Sequence, residues 1–404
     1  MLTFERKGRH DATDRLRPLL RPAKRGVADS PDPSRTDIPR LENFVDSLPI
    51  TRRTHPPGPP FLATLVALIA LVLAACSGGT TPPPTMGHAT SSVAPAATGT
   101  PAPSAPASPS AAAVTYPLTI TDDEGTSVQI AKEPRKIVSL TPATTETLFA
   151  LGVGDRITGK GSDFFLYPPA ASAIPDVQAF DGTEVKVDVE KIVQMAPDVV
   201  FAGGNFGTPP DDIERLRSLG IPVVVVYAPT IAKVLDDVKV IGQTVGKAGQ
   251  AASVVDQMQA GFDAVSASVK DLPHPRVFYE LDATGAFYGP ADESFLAEMI
   301  KLAGAEPVTT GSKDKFDIPV ERLVSQDPEV ILLADAQFGV TKDQVAARPG
   351  WNVMTAVKNG DIRPIDDQTV TRPGPRLALG LQLLAQTIHP DAPVPSVTPI
   401  PPGG

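Results

Sequence analysis

Cysteine is nearly absent from the sequence, since Cys76 is the single cysteine among 404 residues. One cysteine excludes an intrachain disulfide and a metal site built from a cysteine cluster. The five histidines do not compensate: three lie at or before His88, and the other two, His274 and His389, each stand beside a proline. A bare-metal site needs clustered imidazole or carboxylate ligands, so we expect neither a metal site nor a cofactor.

Positive charge is also in deficit, with a formal net charge of −10 at pH 7. An acidic chain is poorly suited to nucleic acid. The sequence further lacks a P-loop, a G-x-S-x-G motif and a G-x-G-x-x-G motif after a strand. Glu146 is one possible acid, but it lies inside a helical pattern with no basic partner at a defined spacing. We therefore expect no nucleic-acid binding and no enzymatic activity, and we predict no catalytic residue.

Long apolar runs are missing apart from one, Phe61 to Ala75, of about 15 residues. A transmembrane helix needs about 20. The run follows Arg52 and Arg53 and ends in Leu-Ala-Ala-Cys76, and this order is typical of a secretory signal. The final four residues resemble the bacterial lipobox, in which the cysteine is lipidated and becomes the mature N-terminus. The alternative is a signal anchor with a bystander cysteine.

The flanks of this run divide the first 115 residues. Residues 1–50 are polar and arginine-rich, unlike the start of a signal peptide, so our hypothesis is a disordered extension with translation starting downstream, near Val45. Residues 51–75 would be the lipoprotein signal peptide. Residues 76–115 are rich in Pro, Ala, Ser and Thr and predict a disordered tether that holds a globular part off a membrane.

From residue 116 onward, strand and helix patterns alternate. The apolar runs Val199–Ala202 and Val223–Val226 are typical of parallel strands covered on both faces. We predict an α/β fold of two Rossmann-like lobes with mostly parallel central sheets, bridged by a single long α-helix, with a disordered N-terminal region. The expected boundaries are 116–247 for the first lobe, 248–270 for the connecting helix, 271–392 for the second lobe and 393–404 for a tail.

The stretch Ile231 to Val269 is the longest part of the chain with helical periodicity and no proline. Gly246 and Gly249 interrupt it, and glycine favours a helix end over its interior. The stretch therefore predicts two helices, of which only the second bridges the lobes. A rigid connecting helix leads us to expect small lobe movements on ligand binding.

A sequence pattern occurs once on each side of this stretch. V-E-[KR]-[IL]-V, three residues and P-[DE]-V-[VI] begin at Val189 and again at Val320. The match indicates two related lobes, with Glu190 and Glu321 in the first turn of equivalent helices. An acid there gains about 0.3–1 kcal/mol from the helix dipole; the alternative is that the two acids form a two-point docking surface.

Residues 117–390 resemble the iron-chelate and vitamin B12 class of ABC-transporter substrate-binding proteins. The motifs that carry this resemblance are Arg135-Lys-Ile-Val-Ser-Leu-Thr-Pro-Ala-Thr-Thr-Glu146, Tyr167-Pro-Pro, Glu190 with Pro197-Asp198, Arg348-Pro-Gly-Trp351 and Arg372-Pro-Gly-Pro-Arg376. The resemblance implies a ligand held between two lobes. It also implies that Glu190 and Glu321 pair with arginines of the membrane permease.

A ligand in such a fold is expected where the carboxyl ends of the strands of both lobes face each other. Aromatic side chains there offer flat apolar area to a macrocycle or chelate, although each could instead pack under a loop. Arg372 could bind an anionic group or simply precede the helix that follows it. The predicted ligand-binding residues are Phe164, Phe165, Tyr167, Phe180, Asn205, Phe206, Phe287, Tyr288, Phe316, Gln368 and Arg372.

These observations support one main hypothesis of function. The chain would be a monomeric, lipid-anchored protein on the extracellular or periplasmic side of a cell membrane, delivering cobalamin or another corrinoid to an ABC permease with its ATPase. A ferric-siderophore-binding protein of the same family is the close alternative, although anionic siderophores would favour a cleft with clustered cations. A chelate-processing enzyme and a surface sensor or adhesin are less favoured alternatives.

Overall fold

The computed structural model describes residues 113–180, 184–204 and 207–403. The predictions for residues 1–50, the signal peptide at 51–75, the lipidated Cys76 and most of the tether lie outside these ranges. In the part of the chain that is described, no helix has the length and apolar character needed to cross a membrane.

The first half of the described chain forms one α/β lobe. Its strands are β1 (Leu118–Thr121), β2 (Ser127–Ile130), β3 (Ile137–Ser139), β4 (Ile157–Lys160), β5 (Gln178–Phe180), β6 (Val185–Val187), β7 (Val199–Gly203) and β8 (Val223–Val226), and its helices are α1 (Pro142–Ala150), α2 (Val189–Met195), α3 (Pro210–Ser218) and α4 (Ile231–Thr244). The central sheet is parallel, in the order β4-β3-β7-β8. β1 and β2 form an antiparallel hairpin, and β5 and β6 form a second one.

The second lobe follows the long helix α5 (Ala248–Val269). Its strands are β9 (Arg276–Glu280), β10 (Phe287–Tyr288), β11 (Glu306–Pro307), β12 (Asp317–Ile318), β13 (Val330–Leu333) and β14 (Ile362–Pro364), and its helices are α6 (Phe295–Leu302), α7 (Val320–Gln326), α8 (Lys342–Ala346), α9 (Thr355–Asn359), α10 (Asp367–Val370) and α11 (Leu377–Ile388). Its central sheet is parallel, in the order β11-β9-β13-β14. In each central sheet the strand that comes first in the chain, β3 or β9, lies second from one edge. The shared strand order confirms the prediction of two related lobes.

The repeated sequence pattern has the same structure in both lobes. α2 and α7 end at residues with a left-handed backbone, Ala196 (φ 48°) and Asp327 (φ 45°). The acid that follows each helix then binds the start of the neighbouring strand: Asp198 accepts a hydrogen bond from the Lys136 backbone N–H, and Glu329 accepts one from that of Arg276. The repeat thus fixes the register between a helix–strand unit and the strand beside it.

The predicted break between the two long helices is present. α4 ends before Gly246, which adopts φ 75°, a conformation that glycine reaches without steric cost. The helices cross closely at Gly242, where an added Cβ would lie 2.3 Å from the Cβ of Ala251. Glycine at this position therefore lets α5 leave the first lobe packed directly against α4.

Three apolar clusters account for the layers of the fold. In β7, Phe201 belongs to the largest cluster, whereas Val200 belongs to a second cluster with residues of α2 and α3. In β13, Leu332 belongs to the same largest cluster, whereas Ile331 belongs to a third one around Trp351. The largest cluster also takes in buried residues of α1, α4, α5, α6 and α11, so the two lobes share one core beneath their sheets.

Residues 394–403, within the segment that we predict as a tail, run back across this shared core. The Val397 backbone N–H donates to Gln382 Oε1 on α11 at 2.6 Å, and the side chain of Ile400 is buried in the largest cluster. The Gly403 backbone N–H donates to the carbonyl oxygen of Phe149 in α1 at 2.8 Å. These residues, which we call the C-terminal strap, connect the last helix of the second lobe to the first helix of the first lobe.

Candidate functional site

A cavity of about 530 Å³ lies between the two lobes. It is lined by residues at the carboxyl ends of β3, β4, β7 and β8 in the first lobe and of β13 and β14 in the second, together with α1, α4 and Phe295 of α6. This is the position at which open parallel sheets bind ligands, and the volume is that of a typical small-molecule site.

Aromatic side chains form the mouth of the cavity. Phe164 is 76% exposed and Phe338 is 70% exposed, which is unusual for apolar side chains of this size. Phe165 of the first lobe contacts Phe338 of the second edge to face, with ring centroids 5.7 Å apart. The aromatic rings of the two lobes therefore meet directly over the space where a ligand would lie.

Phe338 is absent from the residues predicted from the sequence. It lies on a 3-10 turn, Asp335–Phe338, directly after the buried strand β13. The same reasoning that selected Phe164 and Phe165, an aromatic residue following a strand, could have found it. Gln337 of this turn also lines the cavity.

The base of this turn is a buried charged cluster. Arg348 donates two hydrogen bonds to the carboxylate of Glu280, which is fully buried. Asp335 is buried beside Glu280, and burial followed by the Glu280 charge raises the pKa of Asp335 to about 7. The Arg348 guanidinium also lies 4.5 Å from the ring centroid of Trp351. The cluster anchors the turn that presents Phe338.

Arg372 lines the cavity, but its guanidinium group is bound within the protein. It makes two hydrogen bonds of 3.0 Å to the Asp163 carboxylate of the first lobe. It also donates to Gln368 Oε1 at 3.0 Å and to the carbonyl oxygen of Phe165 at 3.3 Å. Arg372 therefore holds the loop that carries Phe164 and Phe165, and a ligand anion would have to compete with Asp163 for it.

A second arginine crosses between the lobes four residues later. Arg376 donates from its backbone N–H and its Nε to the carboxylate of Glu146 on α1, at 3.1 and 3.0 Å. Its guanidinium also lies 3.8 Å from the ring centroid of Tyr167. Glu146 is almost fully buried; burial raises its pKa, and the charges of Arg376 and Arg372 oppose this rise. The sequence shows Glu146 without a basic partner because both arginines lie more than 200 residues away.

The other predicted ligand residues are spread more widely. Tyr167 lies beneath Arg376, Phe180 is half exposed on the hairpin strand β5, and Phe287 packs on Trp351 at 4.9 Å between ring centroids. Tyr288 pairs with Asp317 in a short sheet, and Phe316 lines a neighbouring cavity of about 720 Å³. Phe164, Phe165, Gln368 and Arg372 are the predicted residues that the described part of the cavity brings together. Asn205 and Phe206 lie outside the described residues.

Two carboxyl groups of the cavity wall come from helices. Asp237 on α4 is 7% exposed and lies 3.0 Å from Lys233 Nζ through its Oδ1 atom. Burial and the nearby charge of Asp123 raise the pKa of Asp237 to about 7, against the effect of Lys233. Asp367 at the start of α10 accepts a hydrogen bond of 2.9 Å from the Tyr279 hydroxyl. Burial raises the pKa of Asp367, and this hydrogen bond opposes the rise.

Glu190 and Glu321 lie outside the cavity, in the first turns of α2 and α7, and both are exposed. Glu190 forms an ion pair with Arg215, whose side chain is itself more than half exposed. Exposed pairs of this kind contribute little stability. Both glutamates are thus available at equivalent positions of the two lobes, and their predicted docking role stays a prediction.

The Arg372–Asp163 pair is expected to hold the lobes together. Arg372→Ala would leave the buried Asp163 carboxylate unpaired, and we expect the free energy of unfolding to fall by about 3–5 kcal/mol. Urea denaturation of the purified protein measures this loss. Arg135→Ala is the control, because Arg135 pairs with Glu133 at the surface and its loss should cost no more than about 1 kcal/mol. Equal, small losses in both variants would contradict the assignment.

Comparison with known proteins identifies the family. The pattern of the family described as periplasmic binding protein matches residues 137–369. An uncharacterised ABC transporter substrate-binding lipoprotein of Bacillus subtilis is 31% identical over 281 residues, covering 68% of this chain and 87% of the relative. A cobalamin-binding protein of Halobacterium salinarum is 28% identical over 338 residues, covering 81% of this chain and 84% of the relative.

A solved structure agrees with these relatives. It is described as an ABC-type Fe³⁺-hydroxamate transport system from Saccharomonospora viridis, is 25% identical, and superposes with a TM-score of 0.58 over 68% of this chain and 100% of that one. Like the two relatives, it is matched over most of its own length. The resemblance seen in the sequence motifs is thereby confirmed: the chain belongs to the periplasmic binding protein family, in its iron-chelate and vitamin B12 class, and is a substrate-binding protein.

Proposed function

We propose that this protein is the lipid-anchored solute-binding component of an ABC importer, and that it captures cobalamin or another corrinoid between its lobes. The observation that carries the proposal is the aromatic cavity between the two sheets, whose mouth is formed by Phe164, Phe165 and Phe338. Flat apolar rings suit a large, uncharged macrocycle. The cobalamin-binding relative from Halobacterium salinarum supports the same ligand class.

A ferric siderophore is the second candidate. The solved structure from Saccharomonospora viridis, described as an Fe³⁺-hydroxamate transport system, supports it. The cavity wall gives less support to siderophores that are anionic, because Arg372 is the one cationic side chain among the described residues that line the cavity, and Asp163 already binds it. An anionic siderophore would need clustered, available cations to offset its desolvation.

Calorimetry of the purified protein with cyanocobalamin tests the proposal. We expect binding at micromolar or lower concentration, and Phe338→Ala should weaken it about tenfold or more, because each 1.4 kcal/mol of lost contact is a factor of ten. Phe180→Ala is the matched control, since Phe180 lies on β5 and not in the cavity wall. Absence of corrinoid binding at micromolar concentration, with binding of a ferric siderophore, would replace the first ligand by the second.

The permease is the proposed protein partner. Glu190 and Glu321 are exposed at equivalent positions of the two lobes, and the resemblance to the family implies that such acids pair with permease arginines. A rim charge affects association with a partner more than it affects folding. We propose that the two glutamates form a two-point contact and take no part in holding the ligand.

Reversing both charges separates docking from ligand binding. Glu190→Lys with Glu321→Lys should abolish ligand uptake by cells while the affinity of the purified protein for the ligand stays unchanged. Glu124→Lys with Glu306→Lys is the control, because these are exposed glutamates of the two lobes outside the repeated pattern. Loss of ligand affinity in the Glu190 and Glu321 variant would refute a pure docking role.

Membrane attachment is proposed to occur through a lipid on Cys76, with residues 76–115 as the tether. This proposal rests on the apolar run that ends at Cys76 and on the Bacillus subtilis relative, which is named a lipoprotein. The unmodified protein should incorporate labelled palmitate, and Cys76→Ser should abolish this incorporation, as followed by immunoprecipitation from labelled cells. Absence of label from the unmodified protein would favour an uncleaved signal anchor.

A further inference from the structure

The charges around the cavity are unevenly balanced. Arg372 and Arg376 are matched by Asp163 and Glu146. Lys233, in contrast, is shared between two carboxylates, since it pairs with Asp123 in the β1–β2 turn as well as with Asp237. Asp367 accepts a hydrogen bond from Tyr279 but forms no ion pair with any residue that the structure describes. Among the described residues, the cavity wall and its immediate partners therefore carry an excess of negative charge when Asp237 and Asp367 are ionised.

This excess lies where water is largely excluded. Asp237 lines the cavity together with its helix neighbours Val238 and Ile241, and its Oδ1 atom is buried without a well-formed hydrogen bond despite its proximity to Lys233. Charges act more strongly on one another in such a setting than at the protein surface. An anionic ligand would lose its hydration and at the same time meet two carboxylates, whereas a neutral or cationic ligand would not.

We propose that the cavity selects chelates by charge, accepting those of zero or positive net charge and rejecting anionic ones, and that Asp237 is a specificity-determining residue. The inference rests on the proposed function as a chelate-binding protein and narrows its ligand class. A corrinoid with uncharged carboxamide side chains satisfies the condition. So does a cationic ferric trihydroxamate, whereas a ferric catecholate with several negative charges does not.

Of the three carboxylates that line the cavity, Asp163, Asp237 and Asp367, we assign this role to Asp237 because its negative charge is the least compensated. The Asp367 carboxylate accepts a hydrogen bond from the Tyr279 hydroxyl, and the Asp163 carboxylate accepts one from each of two Arg372 nitrogens. Asp237 shares its one cationic partner among the described residues, Lys233, with Asp123. Its neighbour Asp236, on the same helix, is exposed and pairs with Lys239 at 3.0 Å, and it provides a matched control.

The test uses two ligand series in which charge changes while size hardly does. The first compares cyanocobalamin with its monocarboxylic acid, in which one side-chain amide is hydrolysed. The second compares ferrioxamine B, which carries a free ammonium group, with its N-acetyl and N-succinyl derivatives, which are neutral and anionic. Affinities are measured by calorimetry at pH 8, above the pKa of Asp237. In each series whose neutral member binds, we expect the anionic member to bind at least about tenfold more weakly than the neutral one.

Asp237→Asn should reduce this discrimination severalfold by strengthening binding of the anionic member, and Asp236→Asn should leave it unchanged. Equal affinities of anionic and neutral members for the unmodified protein would overturn the inference, as would an Asp237→Asn variant that folds and discriminates as before. Binding of the trihydroxamates in order of charge without any cyanocobalamin binding would support charge selection while refuting the corrinoid proposal. Failure of both neutral ligands to bind would overturn both.

Discussion

The two ion pairs that cross between the lobes determine how the site is built. Arg372 and Arg376, from one short segment of the second lobe, bind Asp163 and Glu146 of the first. All four side chains are largely buried, so each charge depends on its partner to offset lost hydration. The loop carrying Phe164 and Phe165 is consequently tied to the second lobe by Arg372 and Asp163, which line the cavity, and α1 is tied to it by the Glu146–Arg376 pair.

The rest of the fold is consistent with this constraint. α5 packs between α4 and α11, the largest apolar cluster contains residues of both lobes, and the C-terminal strap joins α11 to α1. Three separate connections thus oppose movement of one lobe against the other. If Glu190 and Glu321 dock the permease as proposed, these connections would keep the spacing of the two glutamates nearly constant, in line with the small lobe movement that we expect on ligand binding.

The sequence predicted the fold more fully than the site, and the reason is physical. Helix periodicity, glycine breaks and the repeated pattern are local, so the two lobes and the α4–α5 break could be predicted from neighbouring residues. The role of Arg372 could not, since its partner Asp163 is 209 residues away. The sequence therefore left open whether Arg372 binds an anionic group or only precedes a helix, whereas in the fold its guanidinium is paired with Asp163. Phe338, in contrast, follows strand β13 directly, so local sequence reasoning of the kind that selected Phe164 and Phe165 is sufficient to find it.

Because Arg372 is already paired within the fold, the ligand that we propose is determined by the charge of the cavity wall as well as by the shape of the cavity. A shared fold supports many functions, and the side chains of the site determine which one is present. Here the backbone supplies a cleft between strand ends, and the aromatic residues at its mouth suit any large flat chelate. In this cleft the one lining arginine of the described residues, Arg372, is paired with Asp163 and holds the lobes together. The negative charges of Asp237 and Asp367, which also line the cavity, are only partly compensated. The ion pair that joins the two lobes thereby removes the positive charge that an anionic ligand would need.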